Sequence, residues 1–138
     1  MRMTSSRILI AALAAALLAA CSGDSSTGTT SLAGTYDLTT VNGAALPFVI
    51  QASAPKVELM SDRIIVNVGN TFSESGSLRE TDGSTVSLVP FTDGGTYAVS
   101  GTAVTFVYAS NGSSGTGTVG SGTFTIAQDG ASSVYVKQ

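Results

Sequence analysis

Residues 93–112 read DGGTYAVSGTAVTFVYASNG, and this stretch decides the fold. Tyr97 and Val99 alternate with Thr96 and Ser100, and Val104, Phe106 and Tyr108 alternate with Thr105. A period of two places successive side chains on opposite faces of a strand. One face is apolar and the other is rich in Thr and Ser, the pattern of an antiparallel sheet with one side in water. The same alternation runs outward along the chain. Tyr36 and Leu38 oppose Thr35, Asp37 and Thr39; Ile64, Val66 and Val68 oppose Arg63 and Asn67; Phe124 and Ile126 oppose Thr123 and Thr125.

Between these runs stand Asn42-Gly43, Asp82-Gly83, Asp93-Gly94, Asn111-Gly112 and Asp129-Gly130. Each pair tolerates the positive φ that a tight hairpin requires, so each is expected to be a turn. Gly34-Thr35-Tyr36, Gly95-Thr96-Tyr97 and Gly122-Thr123-Phe124, with Asn70-Thr71-Phe72 as a variant, read as one local way of leaving a turn and starting a strand. No ten-residue stretch beyond residue 20 carries a 3.6-residue apolar period. The expectation is an all-β fold: one antiparallel meander of roughly eight to ten short strands closing into a small barrel, or folding into a β-sandwich.

The N-terminal residues have a different character. Met1 to Arg7 carries Arg2 and Arg7 and no acid, and Ile8 to Ala20 contains only Ile, Leu and Ala. A basic start followed by a short apolar run describes a secretory signal, because crossing a bilayer as a helix takes ~17–25 apolar residues. The run ends Leu18-Ala19-Ala20-Cys21, and Cys21 is the one cysteine of the chain. This ending resembles the lipobox of bacterial lipoproteins, in which the Cys is acylated and the chain is cut before it. The resemblance implies a signal peptide at 1–20, a lipidated Cys21 with a flexible Ser/Thr/Gly tether at 21–31, and a folded domain at 32–138. Acylation also accounts for an unpaired thiol in an exported protein. With Ser rather than Asp at position 22, the family pattern implies an outer membrane anchor facing the periplasm.

Cutting 20 residues from 138 leaves 118, with four bases (Lys56, Arg63, Arg79 and Lys137) against all nine acids, a net charge of −5. The acids are dispersed and the bases form no patch, which argues against nucleic acid as a partner. The chain has no His and no Trp. Without His, and with Cys21 acylated, there is no Ser-His-Asp triad, no Cys-His dyad and no His-containing zinc site. No catalytic residue, metal or cofactor is implied.

Gly34-Thr35-Tyr36-Asp37-Leu38, Val41-Asn42-Gly43, Leu46-Pro47, Gly95-Thr96-Tyr97-Ala98-Val99-Ser100-Gly101 and Val104-Thr105-Phe106 resemble the hairpins of small bacterial lipocalin-like lipoproteins. The resemblance implies an up-and-down barrel able to hold a small apolar ligand. Tyr36, Phe72, Phe106 and Phe124 would then line the cavity; in a filled barrel the same four are core. The alternative is a structural or inhibitor-like envelope protein that contacts a protein partner through its loops and holds no ligand.

Two further motifs carry less. Gly115-Thr116-Gly117-Thr118-Val119-Gly120 matches G-x-G-x-x-G but lacks the following helix that phosphate binding needs, and reads as a Gly-rich strand or hairpin. Glu74 shares parity with Phe72 and Leu78 and so could point inward. Burying an unpaired charge is costly, and Gly76 or a bulge could shift the register, so Glu74 is expected in water.

Overall fold

The computed structural model describes residues 31–138; the expected signal peptide, Cys21 and nearly all of the expected tether lie outside the described residues. Ten strands run in chain order: β1 (Gly34–Val41), β2 (Ala44–Ala45), β3 (Phe48–Gln51), β4 (Lys56–Val66), β5 (Thr71–Asp82), β6 (Thr85–Ser100), β7 (Ala103–Tyr108), β8 (Ser114–Val119), β9 (Thr123–Gln128) and β10 (Ala131–Lys137). No helix occurs among the described residues. From β4 to β10 every strand pairs antiparallel with its sequence neighbour.

Closure is made by β1. One edge pairs with β10, setting Tyr36 opposite Lys137 and Leu38 opposite Tyr135. The other edge pairs with β4, from Gly34 opposite Val66 to Asp37 opposite Arg63. β1 and β4–β10 therefore form an eight-stranded up-and-down barrel, the size whose interior side chains can just fill. Beyond Asp37 and Arg63 the two seam strands part: β2 continues along β1, with Thr40 opposite Ala45, and β3 along β4, with Phe48 opposite Leu59.

The turns follow the chemistry of their residues, with one exception. Asn42 and Gly43 have φ of 52° and 79°, and Asp129 and Gly130 of 51° and 80°, the positive pair of a two-residue hairpin. Asp93-Gly94, expected as a turn, lies inside β6, paired with Glu74 and Ser73. For the same reason Gly95-Thr96-Tyr97 continues a strand instead of starting one. A Cβ on Gly94 would press on the Phe72 carbonyl oxygen, and one on Gly95 would overlap that of Val107. Glycine is used here for close approach of backbones, which the Asx-Gly pattern does not distinguish from a turn. Val68 also departs from expectation: β4 ends at Val66, and Val68 stands in the following turn, 90% exposed.

The interior of the barrel is a continuous aromatic stack. Phe106 and Phe124 are wholly buried, with ring centroids 5.4 Å apart; Phe72 meets Phe106 edge-on at 5.1 Å, Tyr36 meets Phe124 at 4.7 Å, and Tyr135 stacks on Phe124 at 4.9 Å. Burying such a side chain stabilises by ~1.5–3 kcal/mol, and a well-placed aromatic pair adds ~0.5–1.5. The neighbouring strand β8 makes room for the rings by carrying none: Gly115 pairs with Phe106 and Gly117 with Val104.

The two ends differ. One holds the start of β1 and the turns at 67–70, 101–102 and 120–122. There Leu32, 3% exposed, packs onto the core, and Lys137 donates from Nζ to the Ala33 carbonyl at 2.9 Å while lying 5.8 Å from the Tyr36 ring centroid. The other end holds the turns at 42–43, 109–113 and 129–130. From that end a long β5–β6 arm projects. Its pairing runs to Asp82 opposite Thr85, but β7 covers β6 only from Gly95 to Ser100, which leaves Thr85–Thr92 with a free edge.

Candidate functional site

The second end carries the polar chemistry. On β4, Asp62 shares the inward face with Ile64 and Val66. On β5, Glu74 shares it with Phe72, and the expectation of a solvated Glu74 is overturned: β5 keeps its register through Gly76. Ile64 stands opposite Glu74 and Asp62 opposite Gly76, so the two acids are diagonal neighbours on one face, within side-chain reach. Gly76 puts no side chain between them. The β-bulge near by lies on β4, between Leu59 and Ser61, past the point where it would turn Asp62 outward.

Asp62 is only 8% exposed. Its Oδ2 accepts a 2.6 Å hydrogen bond from the Tyr135 hydroxyl, and its Oδ1 is buried with no donor among the described residues. Burial raises the Asp62 carboxyl above its ordinary range, partly offset by the bond from Tyr135, the contact with Glu74 and the Arg63 amide. Glu74 is pushed up to about 8, by burial first and then by the charge and contact of Asp62 and the charge of Asp93. Two carboxyls this close cannot both ionise cheaply, which favours one proton kept on the pair at neutral pH. Burial, together with these acids, also raises the hydroxyls of Tyr108 and Tyr135.

A cleft of about 270 Å³ opens over the pair, lined by Asp62, Glu74, Tyr108, Gln128, Asp129 and Tyr135, among others. Its lining includes no Lys or Arg. Asp93, from β6, adds a further carboxylate, held below its ordinary range chiefly by a 2.6 Å bond from the Ser110 hydroxyl and a 2.7 Å bond from the Gly94 amide. Asp62 also lines a second cleft of about 530 Å³, at the seam where β1 and β4 part, together with Leu38, Leu46 and Gly76. The nearest cation there, Arg63, is committed to Asp37 by two bonds of 2.6 and 2.9 Å. A third hollow of about 400 Å³ lies at the far end, beside Leu32, Val68, Tyr97 and Val99.

Tyr36, Phe72, Phe106 and Phe124 are brought together as expected, but as packed core: none of them lines any of these three clefts. Asp62, Tyr108 and Tyr135 were not singled out from the sequence. The available signal was an acid breaking the apolar parity on each of two successive strands, Asp62 ahead of Ile64 and Glu74 after Phe72. Glu58, also shielded, is a different case: Lys56 at 2.9 Å and Arg79 at 2.7 Å neutralise it on the arm.

The arrangement can hold a positive charge and store a proton. Among the described residues no group of three or more His, Cys, Asp or Glu side chains is placed to hold a metal ion. No family model and no curated protein matches the chain. Among solved structures it is similar to a mutant of the fluorescent protein UnaG, at 12% identity over 78% of this chain and 96% of that one, with a TM-score of 0.33.

Proposed function

We propose that the chain is a lipid-anchored envelope protein that binds a small molecule at the acidic end of its barrel and does not transform it. The observation that supports this most is the contrast between the two halves of the interior. One half is filled by aromatic rings, whereas the other keeps a cleft in which Asp62, Glu74, Tyr108, Gln128 and Tyr135 converge. Convergent polar groups in a concave site, beside a packed scaffold, are the usual make-up of a small-molecule site. A ligand would sit above the four core aromatics, touching the polar ring instead of the rings of Phe106 and Phe124. The anchor rests on the sequence alone: the apolar run Ile8–Ala20, the Leu18–Cys21 ending and Ser22, which by family pattern point to the outer membrane.

A second reading is a protein-contacting role without a ligand. The free edge of β6 favours it, with Val86 61% and Leu88 68% exposed beside unpaired backbone, although Pro90 blunts that edge. The full chain, expressed in a bacterium and extracted from membranes in detergent, separates the two by intact-mass and native mass spectrometry. The first reading expects loss of residues 1–20, an acylated Cys21 and a small-molecule adduct retained by the folded protein. An unmodified Cys21 would remove the anchor. A stoichiometric protein partner with no adduct would favour the second reading.

A further inference from the structure

We propose that the cleft over Asp62 and Glu74 takes a small organic cation, a primary ammonium or a group of like shape and charge, in exchange for the proton the two acids share. The inference deepens the binding role proposed above and rests on it. Its first support is a buried acceptor with nothing to accept: Asp62 lines the cleft at 8% exposure, Tyr135 occupies its Oδ2, and Oδ1 has no donor among the described residues. A buried oxygen in that state costs free energy until a donor arrives.

The second support is the charge around it. The elements that line this cleft contribute an acid, a phenol or a neutral group to it and no base; Arg63, beside Asp62 on β4, is committed to Asp37 at the seam. β4 gives Asp62, β5 Glu74, β6 Asp93, β7 Tyr108, the β9–β10 turn Asp129 and β10 Tyr135, with Gln128 from β9. Field from one sign of charge in a low-dielectric recess concentrates ligands of the opposite sign. The phenol rings of Tyr108 and Tyr135, with Ile126, offer an apolar flank of the kind that suits an alkylammonium better than a hydrated metal ion. An ammonium supplies three donors, enough for Asp62 Oδ1 and the Glu74 carboxylate together.

The exchange balances. With one proton shared, the pair carries one negative charge. The ammonium enters with its positive charge, the shared proton leaves to water, and the pair becomes two carboxylates around one cation. Binding is therefore linked to pH and releases up to one proton.

The test uses the full chain in detergent micelles and isothermal titration calorimetry with n-butylammonium chloride. 1-Butanol and sodium butyrate serve as neutral and anionic probes of the same length. Titrations at pH 6, 7 and 8, each in two buffers of different ionisation enthalpy, read proton release directly. The expected result is that butylammonium binds and the other two do not. Its affinity should rise at least tenfold from pH 6 to pH 8, with release approaching one proton per cation at the lower pH. Glu74→Gln should weaken binding at least tenfold and remove the pH dependence, and Asp62→Asn should weaken it at least as much. Circular dichroism confirms that each variant is folded, and if Asp62→Asn does not fold, Glu74→Gln at its half-exposed position decides. No binding of butylammonium, or binding undiminished in Glu74→Gln, overturns the inference. If 1-butanol binds as well as butylammonium, the cation reading falls while the binding barrel stands. An unmodified Cys21 would remove the anchor and leave the cation site untouched.

Discussion

Replacing Glu74 with Gln should reduce the pH dependence of folding between pH 4.5 and 8. In the unfolded chain Glu74 titrates near 4.5, and in the barrel near 8. Below 4.5 it is protonated in both states and its burial carries no ionisation cost. As pH rises past 4.5 the unfolded chain gives up the proton while the folded one keeps it, so stability falls with each pH unit until about 8 and is then level. At ~1.4 kcal/mol per pH unit, the gap between 4.5 and about 8 sets a ceiling near 5 kcal/mol. Glu74 keeps part of its surface in water, which screens the neighbouring charges and reduces the realised loss to roughly 2–3 kcal/mol. For a domain of this size, with a total stability of ~5–15 kcal/mol, that is a loss easily measured. One other group is shifted upward with Glu74: Asp62, raised by burial and coupled to it. The chain has no His, the carboxylates of Asp37, Glu58 and Asp93 are held low and so act below the window, and the shifted tyrosines titrate above it. Urea denaturation followed by tyrosine fluorescence, at constant ionic strength from pH 4.5 to 8.5, measures the slope. The wild-type protein should weaken steadily across the window, and Glu74→Gln should fall less steeply, keeping the slope that buried Asp62 contributes, and be the more stable of the two at pH 8. A flat wild-type profile, or a Glu74→Gln profile as steep as the wild type, would refute the shared proton.

Three more outcomes follow from the same coordinates. Tyr135→Phe removes the donor to Asp62 Oδ2 and should cost ~1–3 kcal/mol, more at pH 8 than at pH 5 because the loss is felt by the ionised carboxyl; paired urea melts at the two pH values check it. Phe106→Ala empties the centre of the ring stack and should cost ~3–5 kcal/mol in the same assay, against under ~0.5 for Thr116→Ala on the outer face. Gly117→Ala drives a methyl group into the Thr125 carbonyl oxygen and should separate β8 from β9; hydrogen exchange at Thr116–Val119 would rise, whereas protection across β5–β6 would persist.

The barrel was legible because its strands alternate so plainly. Tyr97 with Val99, Val104 with Phe106, and Phe124 with Ile126 each announce one buried face, and such a face leaves little choice of register. Ile65, which breaks the pattern on β4, proves to be an outward residue at 41% exposure. The acidic site was half legible. Parity placed Glu74 inward, but the cost of burying a lone charge argued it back into water. What that reasoning lacked was Asp62, one strand away, which shares its proton. Pairings across strands, such as Tyr135 meeting Asp62 from β10, depend on how the ends of the meander join, and no local pattern in β10 encodes that. Asp93-Gly94 misled for a related reason: the pair is suited to a hairpin tip and equally to two backbones lying close.

The sealing of one end by Leu32 and Lys137 also bears on which way an anchored molecule would look. The chain arrives at β1 on that stoppered side, and nine residues, 22–30, separate Cys21 from the first described residue, a leash of at most ~36 Å. A protein held by acyl chains on Cys21 would turn its plugged base toward the lipid and its acidic opening toward the aqueous compartment. It would then sample dissolved, charged solutes, while a fatty chain leaving the bilayer would meet the hollow beside Val68.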